Sequence, residues 1–132
     1  MKFRLILAIT ILTFITSCNK YPGGPSLSLR SAKSRIINTW VFEQVLFNGA
    51  DKTGLYTNYT LDYSSTNTFT RTSPSGSVTG TWSLNAEKTE VTVIFSAGMQ
   101  SKYTILKLKE NEFWYKETLP SGEAEYHLVP AN

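Results

Sequence analysis

Residues 78–95 read VTGTWSLNAEKTEVTVIF, and the spacing of their apolar positions decides the fold. Val78, Trp82 and Leu84 share one parity in the first half, with Thr79, Thr81 and Ser83 between them. Val91, Val93 and Phe95 share one parity in the second half, with Glu90 and Thr92 opposite. A strand with one buried face requires this period of two, because successive side chains leave a pleated backbone on opposite sides. Asn85-Ala86-Glu87-Lys88 between the halves is polar and turn-forming. The stretch therefore predicts an antiparallel hairpin, Val78–Asn85 with Glu90–Phe95.

The same pattern continues in both directions. Upstream it predicts strands at Thr39–Phe47, Thr57–Tyr63 and Asn67–Ser73; downstream, at Lys102–Lys107, Glu112–Thr118 and Glu123–Val129. Asn48-Gly49, Ser64-Ser65-Thr66, Pro74-Ser75-Gly76, Ser96-Ala97-Gly98, Lys109-Glu110-Asn111 and Pro120-Ser121-Gly122 punctuate them with turn-forming residues. The connections are short except Asn48–Tyr56, so consecutive strands should pair as antiparallel neighbours. Parity assigns Trp40, Phe42, Leu46, Leu61, Tyr63, Phe113, Tyr115, Ala124, Tyr126 and Leu128 to the buried face. Tyr103 and Ile105 face one way and Leu106 and Leu108 the other, which a bulge near Lys107 would reconcile. Eight strands with one apolar face each predict an all-β, eight-stranded antiparallel up-and-down barrel, since closure removes exposed edges. A flat sandwich is the other arrangement this pattern allows.

The N-terminus reads differently. Lys2 and Arg4 precede an almost unbroken apolar run from Leu5 to Ile15. About a dozen residues is too short for a helix to span a bilayer, which takes roughly 20, and fits the apolar part of an export signal. Ile15-Thr16-Ser17-Cys18 resembles the lipobox of bacterial lipoproteins: an aliphatic residue, two small ones, then a cysteine. That resemblance implies a signal peptide over residues 1–17, cleaved before Cys18, with Cys18 lipidated on sulfur and acylated on its new amine. Three acyl chains at ~0.8 kcal/mol per buried methylene make such an anchor effectively permanent. Asn19 stands where an aspartate would signal inner-membrane retention, and no acidic run follows. By the same resemblance the expected location is the outer membrane, lipid-anchored on its periplasmic face.

Residues 19–34 read NKYPGGPSLSLRSAKS, a Gly/Pro/Ser-rich composition of a linker. A coil of that length reaches roughly 20–24 Å root-mean-square. Residues 18–35 are thus expected to form a flexible tether, with at most a short solvated helical turn around Lys33 and Arg35, and residues 36–129 a single domain. Once Lys2 and Arg4 leave with the signal, 11 basic residues face 10 acidic ones, which is no footprint for nucleic acid. One Cys excludes an internal disulfide framework and a Cys-rich zinc site, and one His excludes a multi-histidine metal cluster. No metal or cofactor is expected.

Residues 36–129 are similar to the small lipocalin-like domains of bacterial envelope lipoproteins. Asn38-Thr39-Trp40 on the first strand, the Asn48-Gly49 turn and Gly80-Thr81-Trp82-Ser83-Leu84 carry the resemblance, with Tyr103-Thr104-Ile105 and Glu110-Asn111-Glu112-Phe113 adding to it. Asn38 stands where the lipocalin pattern has glycine, and no arginine follows Arg71. The resemblance implies a calycin-type barrel that often holds a ligand.

Eight-stranded barrels lie between a filled interior and one small ligand site. With this many inward aromatics the interior should pack tightly, leaving a shallow cup at one mouth. Gln44, Arg71 and Glu117 are the polar residues on inward parities. With Tyr59, Tyr115 and Tyr126 they form the expected ligand-binding set of a mostly apolar pocket. The competing reading has Arg71 and Glu117 at strand ends, reaching water or pairing with each other. His127 lies on the outer parity beside Glu125, as a solvated surface histidine would, and no nucleophile-elbow or phosphate-loop motif is present. The expected function is non-enzymatic binding of a small apolar or amphiphilic molecule. The alternative is a protein-interaction module that contacts an envelope partner through the Asn48–Tyr56 loop, with Leu55 and Tyr56 exposed.

Overall fold

The computed structural model describes residues 30–132, so the expected signal segment, Cys18 and the stretch up to residue 29 lie outside it. The strands are β1 (Asn38–Phe47), β2 (Ala50–Asp51), β3 (Thr60–Tyr63), β4 (Thr68–Ser73), β5 (Gly76–Leu84), β6 (Glu90–Phe95), β7 (Gln100–Leu108), β8 (Phe113–Leu119) and β9 (Gly122–Pro130). Every ladder is antiparallel, in the order β2-β1-β3-β4-β5-β6-β7-β8-β9, and β9 pairs back onto β1 from Trp40↔Pro130 to Phe47↔Ala124. That last ladder closes the sheet and excludes the flat sandwich. β2 is only a two-residue flap on the upper part of β1, so the closed barrel has eight strands.

Closure brings the turns into two sets. The lower end carries the turns at 64–67, 85–89 and 109–112; the upper end carries those at 74–75, 96–99 and 120–121 and the long 48–59 connection. Asn48 (φ 48°) and Gly49 (φ 81°) both take left-handed backbone, as the tight turn from β1 into β2 requires. Gly80 is required for another reason: a Cβ there would run into the backbone of Ile94 and Phe95 on β6.

Two bulges set which side chains enter. On β7 the register shifts between Ile105 and Lys107, so Ile105 and Leu108 are both buried despite opposite parity, as the sequence pattern required. On β1 it shifts between Phe42 and Gln44, leaving Glu43 as the extra residue. Beyond it Val45 points inward, 1% exposed, while Gln44 and Leu46 take the outer parity. The expected inward placement of Gln44 and Leu46 is thereby overturned, because one unpaired residue exchanges the faces of everything after it.

The lower half is solid. Trp40, Tyr63, Trp82 and Phe113 are buried in edge-to-face contact, with centroids 5.6 Å apart for Trp40–Phe113, 5.5 Å for Tyr63–Trp82 and 5.8 Å for Tyr63–Phe113. The end itself is closed by α1 (Ala32–Ile36), whose start is capped by the Ser31 hydroxyl accepting from the Ser34 amide. Ala32 and Ile36 are buried. Trp40 Nε1 donates to the Ile36 carbonyl at 2.8 Å, Arg35 Nη1 to the Leu108 carbonyl at 2.6 Å, and Lys33 Nζ to Asn67 Oδ1 at 2.8 Å. Arg30 meets Glu110 in an ion pair. The expected helical turn is present, but it is a docked plug rather than a solvated part of the tether: Ile36 enters the core and pins the turn before it.

Candidate functional site

The upper half is open. A cavity of about 510 Å³ lies between the aromatic floor and the upper turns. Tyr115 forms the back of the cup on β8, Tyr126 stands beside it on β9 at 5.2 Å between centroids, and Tyr103 on β7 lies 4.5 Å from Tyr115. The remaining wall has a specific origin. β1 pairs with β3 only from Asn38 to Trp40, so the two strands splay apart above that point. A 3-10 turn, Thr53–Tyr56, fills the gap and places the Tyr56 ring 4.8 Å from Phe42 and 6.1 Å from Tyr126. Asp51 holds this turn down by accepting from the Thr53 amide (2.9 Å) and hydroxyl (2.6 Å). The same hydroxyl accepts from the Val45 amide at 3.0 Å. Tyr56 is therefore half-buried in the wall, not an exposed contact, whereas Leu55 beside it is 71% exposed.

Four of the six expected ligand-binding residues converge on this cavity: Arg71, Tyr115, Glu117 and Tyr126. The other two do not line it. Tyr59 precedes β3, follows the left-handed Asn58 (φ 63°), and packs against Tyr56 at 5.5 Å and Phe42 at 6.3 Å between centroids. Gln44 lies on the outer face for the reason given above, across the ladder from His127.

Electrostatically the cup is uneven. Glu117 is half-buried among tyrosines and accepts from the Tyr126 hydroxyl at 3.2 Å. Burial raises its pKa above the usual carboxylate value, against the hydrogen bonds from Tyr126 and Ser101, which act the other way. Burial, with the Glu117 charge nearby, pushes Tyr103 up to about 12; burial likewise raises Tyr115 and Tyr126. All three phenols are thus neutral at ordinary pH and serve as hydrogen-bonding groups and ring surfaces. Arg71 sits exposed at the rim with its guanidinium carbon 5.6 Å from the Phe95 ring. Neither Arg71 nor Glu117 belongs to an ion pair among the described residues, so they do not pair with each other.

His127 faces outward as expected but is not solvated: it is 9% exposed. It stacks on Trp114 at 3.7 Å and 5° between planes, and its Nε2 lies 2.7 Å from Glu125 Oε1. Lys107 lies 4.2 Å from the Trp114 ring. Lys107, Trp114, His127 and Gln44 are successive partners across four neighbouring strands, so this row is a cross-strand stack on the outer wall. Parity placed His127 on the outer face but put Gln44 on the inner one; the bulges on β1 and β7 are what bring the row into register.

No protein-family model matches this chain, and no curated protein does. Among solved structures it is similar to the crystal structure of a DUF4847 family protein from Bacteroides vulgatus ATCC 8482. The TM-score is 0.52 at 12% identity, over 71% of this chain and 92% of that one. At that identity the likeness is one of fold: a small, closed antiparallel β-barrel.

Proposed function

We propose that this chain is a lipid-anchored envelope lipoprotein whose lipocalin-like barrel holds one small apolar or amphiphilic molecule in its upper end, without reacting with it. The observation that carries this reading is the cup itself. A cavity of about 510 Å³ with aromatic walls and a few convergent polar groups falls within the usual range for small-molecule sites. The single histidine lies on the outer wall, away from the cavity, which favours a holder over a hydrolase.

The geometry of the barrel gives the proposal a direction. The described chain begins at the plugged lower end, opposite the mouth. An anchor on Cys18 would hold that end toward the bilayer and turn the cup away from it. With the outer membrane as the site and its periplasmic face as the orientation, the ligand would arrive from the aqueous side and not from the anchoring leaflet.

A second reading, a protein-interaction module, is favoured by Leu55 and Met99, each 71% exposed at the mouth end. Native mass spectrometry of the protein purified from its own envelope tests both. A small molecule retained at one per chain supports the holder. A protein retained at stoichiometric ratio, with the cup empty, supports the interaction module.

A further inference from the structure

Arg71 and Glu117 line the same cavity from opposite walls. In the closed order, β4 and β8 lie half a circuit apart, so the two side chains approach the cup from facing strands. Tyr103 lies within electrostatic reach of both charges. Each group bears a formal charge, and neither has a counter-ion among the described residues. For the half-buried Glu117, leaving the charge without a counter-ion is costly, and an opposite charge arriving with good geometry stabilises it, whereas Arg71 at the rim remains solvated.

The surroundings of the two groups differ in kind. Glu117 is set among rings: Tyr103, Tyr115 and Tyr126 lie within 6.3 Å of one another, and Phe42 and Tyr56 continue the cluster at 5.8 and 6.1 Å from Tyr126. A carboxylate in an aromatic cup, held by a tyrosine hydroxyl, is the environment that attracts an ammonium group, through charge pairing with the carboxylate and contact with the surrounding rings. Arg71 is exposed at the rim, against the edge of an apolar wall, with its fork of donors free for a carboxylate or another anion.

We infer that the cup selects a dipolar ligand: an apolar body carrying an ammonium group toward Glu117 and an anionic group toward Arg71, as a short apolar peptide does. This rests on the reading of the upper end as a ligand site and names the chemistry that the site would recognise.

The test uses diphenylalanine as probe, in four forms: free, N-acetylated, C-amidated and capped at both ends. The four share one body and differ only in which charges they carry. Isothermal titration of the full chain in phospholipid nanodiscs should show the free form binding about tenfold tighter than either singly capped form, with the doubly capped form weakest. Glu117→Gln should erase the penalty of N-acetylation and leave that of amidation; Arg71→Ala should do the reverse. Equal affinity for free and doubly capped forms would overturn the dipolar selection while leaving the cup as a ligand site. No heat with any form, together with no small molecule retained by the natively purified protein, would overturn the cup itself.

Discussion

Glu117 shows how a single residue can oppose stability and serve a site. Burial raises its pKa in the folded chain above the ordinary carboxylate value of 4.5, so the native state holds that proton more tightly than the unfolded state does. Where the native state binds more protons, stability falls as pH rises. The contribution of Glu117 is therefore full in acid below 4.5 and is lost as pH rises through the elevated folded value. Glu117→Gln keeps an acceptor for the Tyr126 hydroxyl and removes the charge. It should raise the urea midpoint at neutral pH and lose that advantage in acid, as urea titrations at the two pH values would show. Glu117 was legible from parity, as were Arg71, Tyr115 and Tyr126, because β4, β8 and β9 run without a register shift through those positions. Gln44 was not legible in the same way. Nothing in the composition of Val41–Leu46 marks Glu43 as unpaired, and the bulge comes from fitting β1 to β9.

At the scale of elements, α1 has the largest effect for its length. Five residues close the lower end, and Ile36 is fully buried, its carbonyl accepting from Trp40 Nε1. Ile36→Ala should cost about 2–5 kcal/mol, as large-to-small changes in buried positions do, seen as a lower urea midpoint with an unchanged slope. A solvated turn would lose almost nothing from the same change. Sequence composition pointed to a linker here because Ser, Lys and Arg dominate the stretch, and a one-turn helix gives too few positions for an apolar stripe to register. The 48–59 connection failed to read for a similar reason. Its Thr and Tyr residues suggested a strand from Thr57, but the left-handed Asn58 delays β3 to Thr60 and frees Tyr56 to become wall. The eight barrel strands are legible because apolar alternation and turn chemistry mark them, β7 with a bulge, whereas β2, two exposed residues long, carries no such pattern.

For the whole molecule, what matters is asymmetry between the two ends. Large rings crowd the lower half, whereas the upper half widens where β1 and β3 part. The chain enters below and the cup opens above. If Cys18 carries lipid, the plugged end is the one joined to the anchor, and the mouth lies at the opposite end of the barrel. Fluorescence titration with anilinonaphthalene sulfonate, on the wild type and on Ser101→Trp, measures whether the upper half is a usable cavity. Ser101 lines the cup near its rim, and an indole there would occupy it. One blue-shifted dye per barrel, with affinity about tenfold weaker in Ser101→Trp at unchanged circular dichroism, is the expected result. Absence of dye binding, or equal affinity in the two proteins, would contradict a ligand cup at that end.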